Sequence, residues 1–250
     1  MKTSKLAVGF AGSRWLGVEC FRALTERKDV EIKAVCFPKK SDSVWWKDVV
    51  DEDEVKKLGY KITPWKKWLN LKFDVTFSVL HGAIFKKEHI NSSQYGVINL
   101  HPAPLPEYRG CNSYAHAIMN GDKKYRVTLH YVEEEIDTGP IIAQSSLPIT
   151  FKDTGYTLYQ KAQPIALSVF EKNLSKIIAE AKIDRKVFSK KQDDKKSRYY
   201  SRDSLKNKEA NIKWNATKLY NFVRALDFPP FEPAYVVLKG QKTYLILNQR

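Results

Sequence analysis

Residues 97–140 read VINLHPAPLPEYRGCNSYAHAIMNGDKKYRVTLHYVEEEIDTGP. An apolar strand over 97–100 stops abruptly on Asn99-Leu100-His101, and a proline-rich loop follows. The pattern then predicts a helix over 112–120, a second strand over 126–132 and an acidic turn from Glu133 to Gly139. Asn, His and Asp are thereby delivered to strand ends and turns, where a sheet holds the backbone and the side chain can face a ligand. The arrangement reads as an active site.

Working outward from it, the apolar run at 5–11, the helical spacing of Leu16, Cys20, Ala23 and Leu24, and the apolar run at 31–37 predict strand, helix, strand. That opening points to an α/β fold with a mostly parallel, twisted sheet of the doubly wound type. The first turn, Gly9 to Gly17, departs from GxGxxG, so the dinucleotide fingerprint is absent. Ser13 and Arg14 at a helix start can hold a phosphate through free amides and guanidinium charge, or can simply make a tight turn with a solvated arginine. A surface helix is expected over 42–58, with an acidic cluster from Asp48 to Glu54, and a strand over 74–80 ending at His81. Beyond Gly139 come a strand over 141–149 and a long helix over 154–181, capped by Asp153-Thr154 and kinked or divided at Pro164.

Residues 189–208 carry eight basic and three acidic residues and read as a polar linker or mobile loop. Three units follow: a catalytic domain over 1–188, the linker over 189–209, and a small C-terminal helix–hairpin appendage over 210–250. Within the appendage, 214–226 has helical spacing, Phe228 to Pro233 is a stiff aromatic–proline loop, and AYVVL and YLILN form a hairpin turned at Lys239-Gly240.

The totals bound the partners. A net charge of +15 suggests an anionic partner without choosing among phosphorylated substrate, polyanionic cofactor, nucleic acid and membrane surface. Three cysteines, Cys20, Cys36 and Cys111, lack metal-ligand spacing and suit reduced thiols in a cytoplasmic protein. No signal peptide or membrane span is expected.

Asn, His and Asp together suit acyl transfer. A neutral His takes a proton from an attacking amine, an Asn amide donates to the oxygen that becomes negative, and an Asp fixes the imidazole. The segments INLHPAPLPEYRG (98–110) and VTLHYVEEEIDTGPII (127–142) resemble the two signatures of the formyltransferases that use N10-formyltetrahydrofolate. That family includes glycinamide ribonucleotide, methionyl-tRNA and sugar-nucleotide N-formyltransferases. The resemblance implies a Rossmann-like formyltransferase core with Asn99, His101 and Asp137 as the catalytic trio. It implies folate binding by backbone at Leu80, His81, Gly82 and Ala83 and at Glu133, Glu134, Glu135, Ile136 and Gly139. A cis bond at Leu105–Pro106, a homodimer and direct transfer without a metal are implied as well.

The tail WNATKLYNFVRALDFPPFEPAY (214–235) is similar to that of the sugar-nucleotide enzymes. It implies a nucleotide-linked amino-deoxysugar, dTDP-linked, as acceptor, in surface polysaccharide or O-antigen synthesis, with no nucleic acid and no membrane partner. Ser13, Arg14, Trp15, Pro102, Tyr108, Arg109, Arg224, Phe228 and Phe231 are the expected substrate-binding residues. Methionyl-tRNA formyltransferase and a formyl-folate hydrolase remain the alternatives.

Overall fold

The computed structural model describes residues 5–38 and 52–247. The chain opens with β1 (Leu6–Gly12), α1 (Arg14–Thr25) and β2 (Val30–Cys36). Next come α2 (Glu52–Lys57), a 3-10 turn at Trp65–Asn70, β3 (Val75–Val79), α3 (Lys87–Ile90) and β4 (Val97–His101). Then follow β5 (Arg109–Gly110), α4 (Ser113–Met119), β6 (Lys124–Tyr131), β7 (Ile141–Pro148) and α5 (Gly155–Lys182). The remainder is β8 (Tyr199–Tyr200), α6 (Ala216–Leu226), β9 (Tyr235–Leu238) and β10 (Gln241–Tyr244). Of the surface helix expected over 42–58, residues 42–51 lie outside the described residues.

Six strands form one sheet in the order β2-β1-β3-β4-β6-β7. The first four pair in parallel, and β6 and β7 add in antiparallel fashion. This is the mostly parallel, Rossmann-like α/β architecture expected. β4 lies where the direction changes, with parallel β3 on one side and antiparallel β6 on the other.

Strand alternation decides what β4 offers to each side. Ile98 and Leu100 join the large core beneath α1 and α5. Val97 joins a smaller cluster with Trp68, Phe73 and Phe85 on the opposite face. Asn99 and His101 share the parity of Val97 and point to that second face. The large core locks α5 to the sheet through contacts such as Phe77 against Phe170, with ring centroids 5.3 Å apart at 75°.

α5 begins on a reciprocal cap in which Thr154 Oγ1 accepts from the Thr157 amide and Thr157 Oγ1 accepts from the Thr154 amide. It runs unbroken through Pro164, so no second segment starts there. Pro164 and Gln160 are both exposed, and the carbonyl that the proline leaves without its helical donor is on the solvent side.

The hairpin turns at Lys239-Gly240 as expected, both with positive φ (50° and 79°). Its second strand is Gln241–Tyr244, three residues earlier than YLILN, because a two-residue turn brings Gln241 directly opposite Leu238. α6 and the hairpin enclose a small core of their own, Val223, Leu226 and Ala234, packed on Met119 of α4 and on Leu205. The basic segment is tied to the α/β core: Lys190 pairs with Ile141, and Tyr199 and Tyr200 pair in parallel with Arg109 and Gly110. No helix among the described residues is long and apolar enough to cross a membrane. The three cysteines are unpaired.

Phe170 is 1% exposed at the sheet–α5 contact. Phe170→Ala is expected to cost about 3–5 kcal/mol in chemical denaturation. A loss under about 1 kcal/mol would show that this contact does not hold α5 to the sheet.

Candidate active site

β1, β3 and β4 end on the same edge of the sheet, and there the loops carrying Ser13, Leu80 and His101 meet. In open parallel sheets this carboxyl edge is where crevices form. The crevice is completed by the turn after β6. That turn folds back because Tyr131 N–H donates to the Pro140 carbonyl (2.9 Å). Only glycine fits at 139, where a Cβ would lie 1.9 Å from the Tyr131 carbonyl oxygen. Asp137 sits in the turn with φ 58°.

The structure brings Asn99, His101 and Asp137 together, although Asp137 lies far from the other two in sequence. His101 Nε2 is 3.6 Å from Asp137 Oδ2 and 3.2 Å from the Tyr108 carbonyl. Both partners are acceptors, so the ring proton belongs on Nε2 and Nδ1 carries the lone pair. Asp137 Oδ2 also accepts from the Gly110 amide at 2.9 Å. Burial acts to raise the Asp137 carboxyl, but His101, His130, the Gly110 amide and Arg109 outweigh it and hold it below the usual carboxylate value.

His130 is a member of the site that the sequence reading passed over. It is Asn99's cross-strand partner on β6. Its Nδ1–H donates to the Tyr131 carbonyl (2.7 Å), which leaves Nε2 to accept from Asn99 Nδ2 (3.2 Å). Asp137 Oδ1 lies 3.7 Å from the same Nε2. Burial holds this imidazole neutral, with a pKa lowered to about 4 despite the nearby carboxylate. His130 therefore fixes the rotation of the Asn99 amide, whose second N–H stays available to an oxygen in the crevice. The signal in the sequence was a histidine within a β6 run, Val127 to Tyr131, that otherwise carries only apolar and uncharged residues.

Leu80 takes a left-handed conformation (φ 54°) at the end of β3, and its carbonyl accepts from Ser13 Oγ. His81 follows, packed on Trp65 and Phe85 with neither ring nitrogen hydrogen-bonded. The Glu133, Glu134, Glu135 and Ile136 side chains of the opposite loop are exposed. Alongside this turn runs a cleft of about 920 Å³, lined by apolar Ile90, Val132 and Pro140, by the cations Lys87, Arg109, Lys186 and Lys191, and by the carboxylates of Glu133, Glu134, Glu135 and Asp194. The Leu105–Pro106 peptide is cis.

The nine expected substrate residues divide into two groups. Ser13 is bound on both sides, its amide to the Val79 carbonyl and its hydroxyl to that of Leu80, so it is not free to hold a phosphate. Pro102 is buried, with its carbonyl accepting from the Tyr125 hydroxyl. Tyr108 is buried, and its hydroxyl donates to Asp122. Arg109 is buried and bonded to Gln192 and Asp194. Arg224 joins α6 to the carbonyls of Thr150 and Asp153. These five hold the fold in place.

Of the other four, Arg14, Phe228 and Phe231 gather at an aromatic cluster, and Trp15 lies on α1. Phe228 packs on Tyr156, Tyr159 and Phe231, and the Arg14 charge acts on Tyr159 and Tyr114. Trp15 and Phe231 are exposed.

With this geometry in view, the comparisons are informative. Residues 61–174 match the formyl transferase model. The chain is 32% identical over 178 residues to methionyl-tRNA formyltransferase of Bacillus subtilis, covering 70% of this chain and 53% of that one. It is 28% identical to GDP-perosamine N-formyltransferase of Brucella melitensis, over 70% of this chain and 65% of that one. The solved structure of WlaRD, a sugar 3N-formyl transferase in the presence of dTDP and 5-N-formyl-THF, matches with a TM-score of 0.80 and 25% identity over 95% of this chain and 84% of that one. The chain spans about half the length of the methionyl-tRNA relatives it matches.

Burial holds the His81, His116 and His130 pKa values at about 4, down from 6.5. Between these limits the unfolded chain binds more protons, so stability is complete above about 6.5 and declines as pH falls toward 4. Asp137, held low, adds a further loss below its ordinary 3.8. Denaturation midpoints from pH 7.5 to about 4.5 should therefore fall with acid, less steeply in His130→Gln. Equal slopes in the two proteins would contradict a neutral, buried His130.

Proposed function

We propose that the protein transfers the formyl group of N10-formyltetrahydrofolate to the amine of a nucleotide-linked amino-deoxysugar. The acceptor is a dTDP-linked 3-amino- or 4-amino-6-deoxyhexose, destined for O-antigen or related surface polysaccharide. The observation that carries this reading is the convergence of Asn99, His101 and Asp137 in one crevice. Formyl-folate supplies an activated formyl carbon. The cleft beside the Asp137 turn supports this reading: Ile90, Val132 and Pro140 in its lining offer apolar surface to a flat ring, and Lys87, Lys186 and Lys191 offer charge to carboxylates.

Each side chain has a chemical task in this reading. Asn99, rotated by His130, donates its remaining amide hydrogen to the formyl oxygen as negative charge builds there. His101 Nδ1 accepts a proton from the attacking amine and delivers it to folate N10 as the C–N10 bond breaks and tetrahydrofolate leaves, while Asp137 and the Tyr108 carbonyl hold the Nε2 side of the ring. The ionised Asp137 favours the imidazolium that forms. Arg14 offers charge to a pyrophosphate, and the paired rings of Phe228 and Phe231 offer faces to a base.

Support for a sugar acceptor comes from the sugar 3N-formyl transferase, whose likeness extends over 95% of the chain and so includes the tail. The dTDP in that structure's description suggests the nucleotide. The protein acts in the cytoplasm as a homodimer in this proposal. The 32% identity to methionyl-tRNA formyltransferase favours a second reading, transfer to methionyl-tRNA.

A panel of dTDP- and GDP-linked amino sugars, methionyl-tRNA and a blank without acceptor, each given formyl-folate, separates these readings. A formylated dTDP-sugar, identified by mass, is the expected product. Preferential turnover of methionyl-tRNA would establish the second reading, and formate release in the blank alone would make the protein a hydrolase. His101→Ala should lower turnover about 10²–10⁴-fold, and Asn99→Ala about 10²–10³-fold, with the fold retained. Near-normal rates in either variant would remove that residue from the chemistry.

A further inference from the structure

Asp137 needs support that its own turn does not supply. A non-glycine residue with φ 58° pays a local cost of roughly 1 kcal/mol or more, so the conformation persists only where the surroundings over-determine it. The carboxylate is useful to His101 only while the turn keeps this shape. Gly139 holds the far end by its close approach to Tyr131. The near end is held from another part of the chain.

Gln192, 6% exposed, reaches in from the basic segment. Its Nε2 donates to the carbonyl of Asp137 itself (2.8 Å) and to that of Gly139 (2.7 Å). Its Oε1 accepts from Arg109 Nε (3.1 Å) and Nη2 (2.9 Å). Two donors and two acceptor lone pairs are all used, so the buried amide is fully satisfied. Arg109 in turn precedes Gly110, whose amide donates to Asp137 Oδ2. The contacts close a ring: Gln192, the Asp137 backbone, the Asp137 carboxylate, Gly110, Arg109 and Gln192 again.

The segment itself is sewn down on both sides of this ring. Lys190 exchanges two backbone hydrogen bonds with Ile141 (2.8 and 2.7 Å). Farther along, Arg109 N–H donates to the Arg198 carbonyl (3.0 Å) and Cys111 N–H to that of Tyr200 (2.8 Å). Gly110 tolerates no Cβ there, because one would lie 2.3 Å from the Tyr200 carbonyl oxygen.

We propose that Gln192 is a positioning residue for the reaction: its amide holds the Asp137 turn and the Arg109–Gly110 strand in one register, so that the carboxylate faces His101. The inference rests on the formyl-transfer reading for its catalytic consequence, not for its geometry. Its donor half and its acceptor half can be separated. Gln192→Glu keeps an acceptor for Arg109 but sets a carboxylate against two carbonyls, whereas Gln192→Ala removes both halves.

Two measurements decide it. In the absence of substrate, the hydrogen-exchange protection of the Gly110 amide, followed by NMR, should fall at least about tenfold in both variants. In turnover, kcat should fall about 10²-fold in both, with the KM for the amino sugar changed less than about twofold. A Gln192→Glu enzyme with wild-type kcat and wild-type Gly110 protection would overturn the proposal, since holding Arg109 would then suffice. Should Gln192→Ala not fold, the pair Arg109→Met with Gln192→Met removes the buried charge together with its partner. That double variant should fold and still lose kcat, and wild-type kcat in it would overturn the proposal. If the wild-type protein formylates no sugar, the functional reading falls, and Gly110 protection still decides the role of Gln192.

Discussion

The Asp137 carboxylate is the interaction on which the site depends. One oxygen faces His101 and accepts from the Gly110 amide, and the other faces His130. A carboxylate removed from water favours its neutral form, and here the surrounding imidazoles, amide and guanidinium reverse that preference. Much of the chain serves to keep this charge in place. β6 brings His130 and starts the turn, glycine at 139 lets the turn close, and a left-handed backbone aims the side chain.

The two histidines near that charge have different surroundings. His130 is fully enclosed and bonded through Nδ1 to a backbone carbonyl, so it stays neutral and serves as an acceptor for Asn99. His101 lies at the strand end, partly exposed, with two acceptors on its Nε2 side. A position two residues along β4 thus separates an amide that is held by an imidazole from an imidazole that faces a carboxylate and a backbone carbonyl. The strand's alternation places both groups on one face while its other face builds the core.

The parallel sheet was legible because each strand is an apolar run that ends on a turn signal, as in Leu6–Gly12 and Val75–Val79. Asn99, His101 and Asp137 were legible because polar groups at strand ends and turns stand out against apolar neighbours. What escaped was carried by backbone atoms and by distant partners. The Tyr108 carbonyl and the Gly110 amide shape the site through atoms that every residue has. Gln192 was hidden in a lysine-rich stretch whose composition resembles solvated coil, and its partners are more than fifty residues away. Arg224 and Ser13 misled for the converse reason: their side chains suit an anion, and only the fold shows that carbonyls already occupy them.

The joining of the basic segment to the core bears on how this chain can be divided. Composition suggests an end to the catalytic unit near residue 188, yet beyond that point lie the groups that meet the Arg109 guanidinium and cover Gly110. A chain stopped there would strand a buried cation without an acceptor, a cost of several kcal/mol by itself. The shortest piece able to shape the crevice therefore extends at least through Tyr200. Any shuffling of tails between related chains would have to respect that seam, with the break placed after the second tyrosine and not before the lysines.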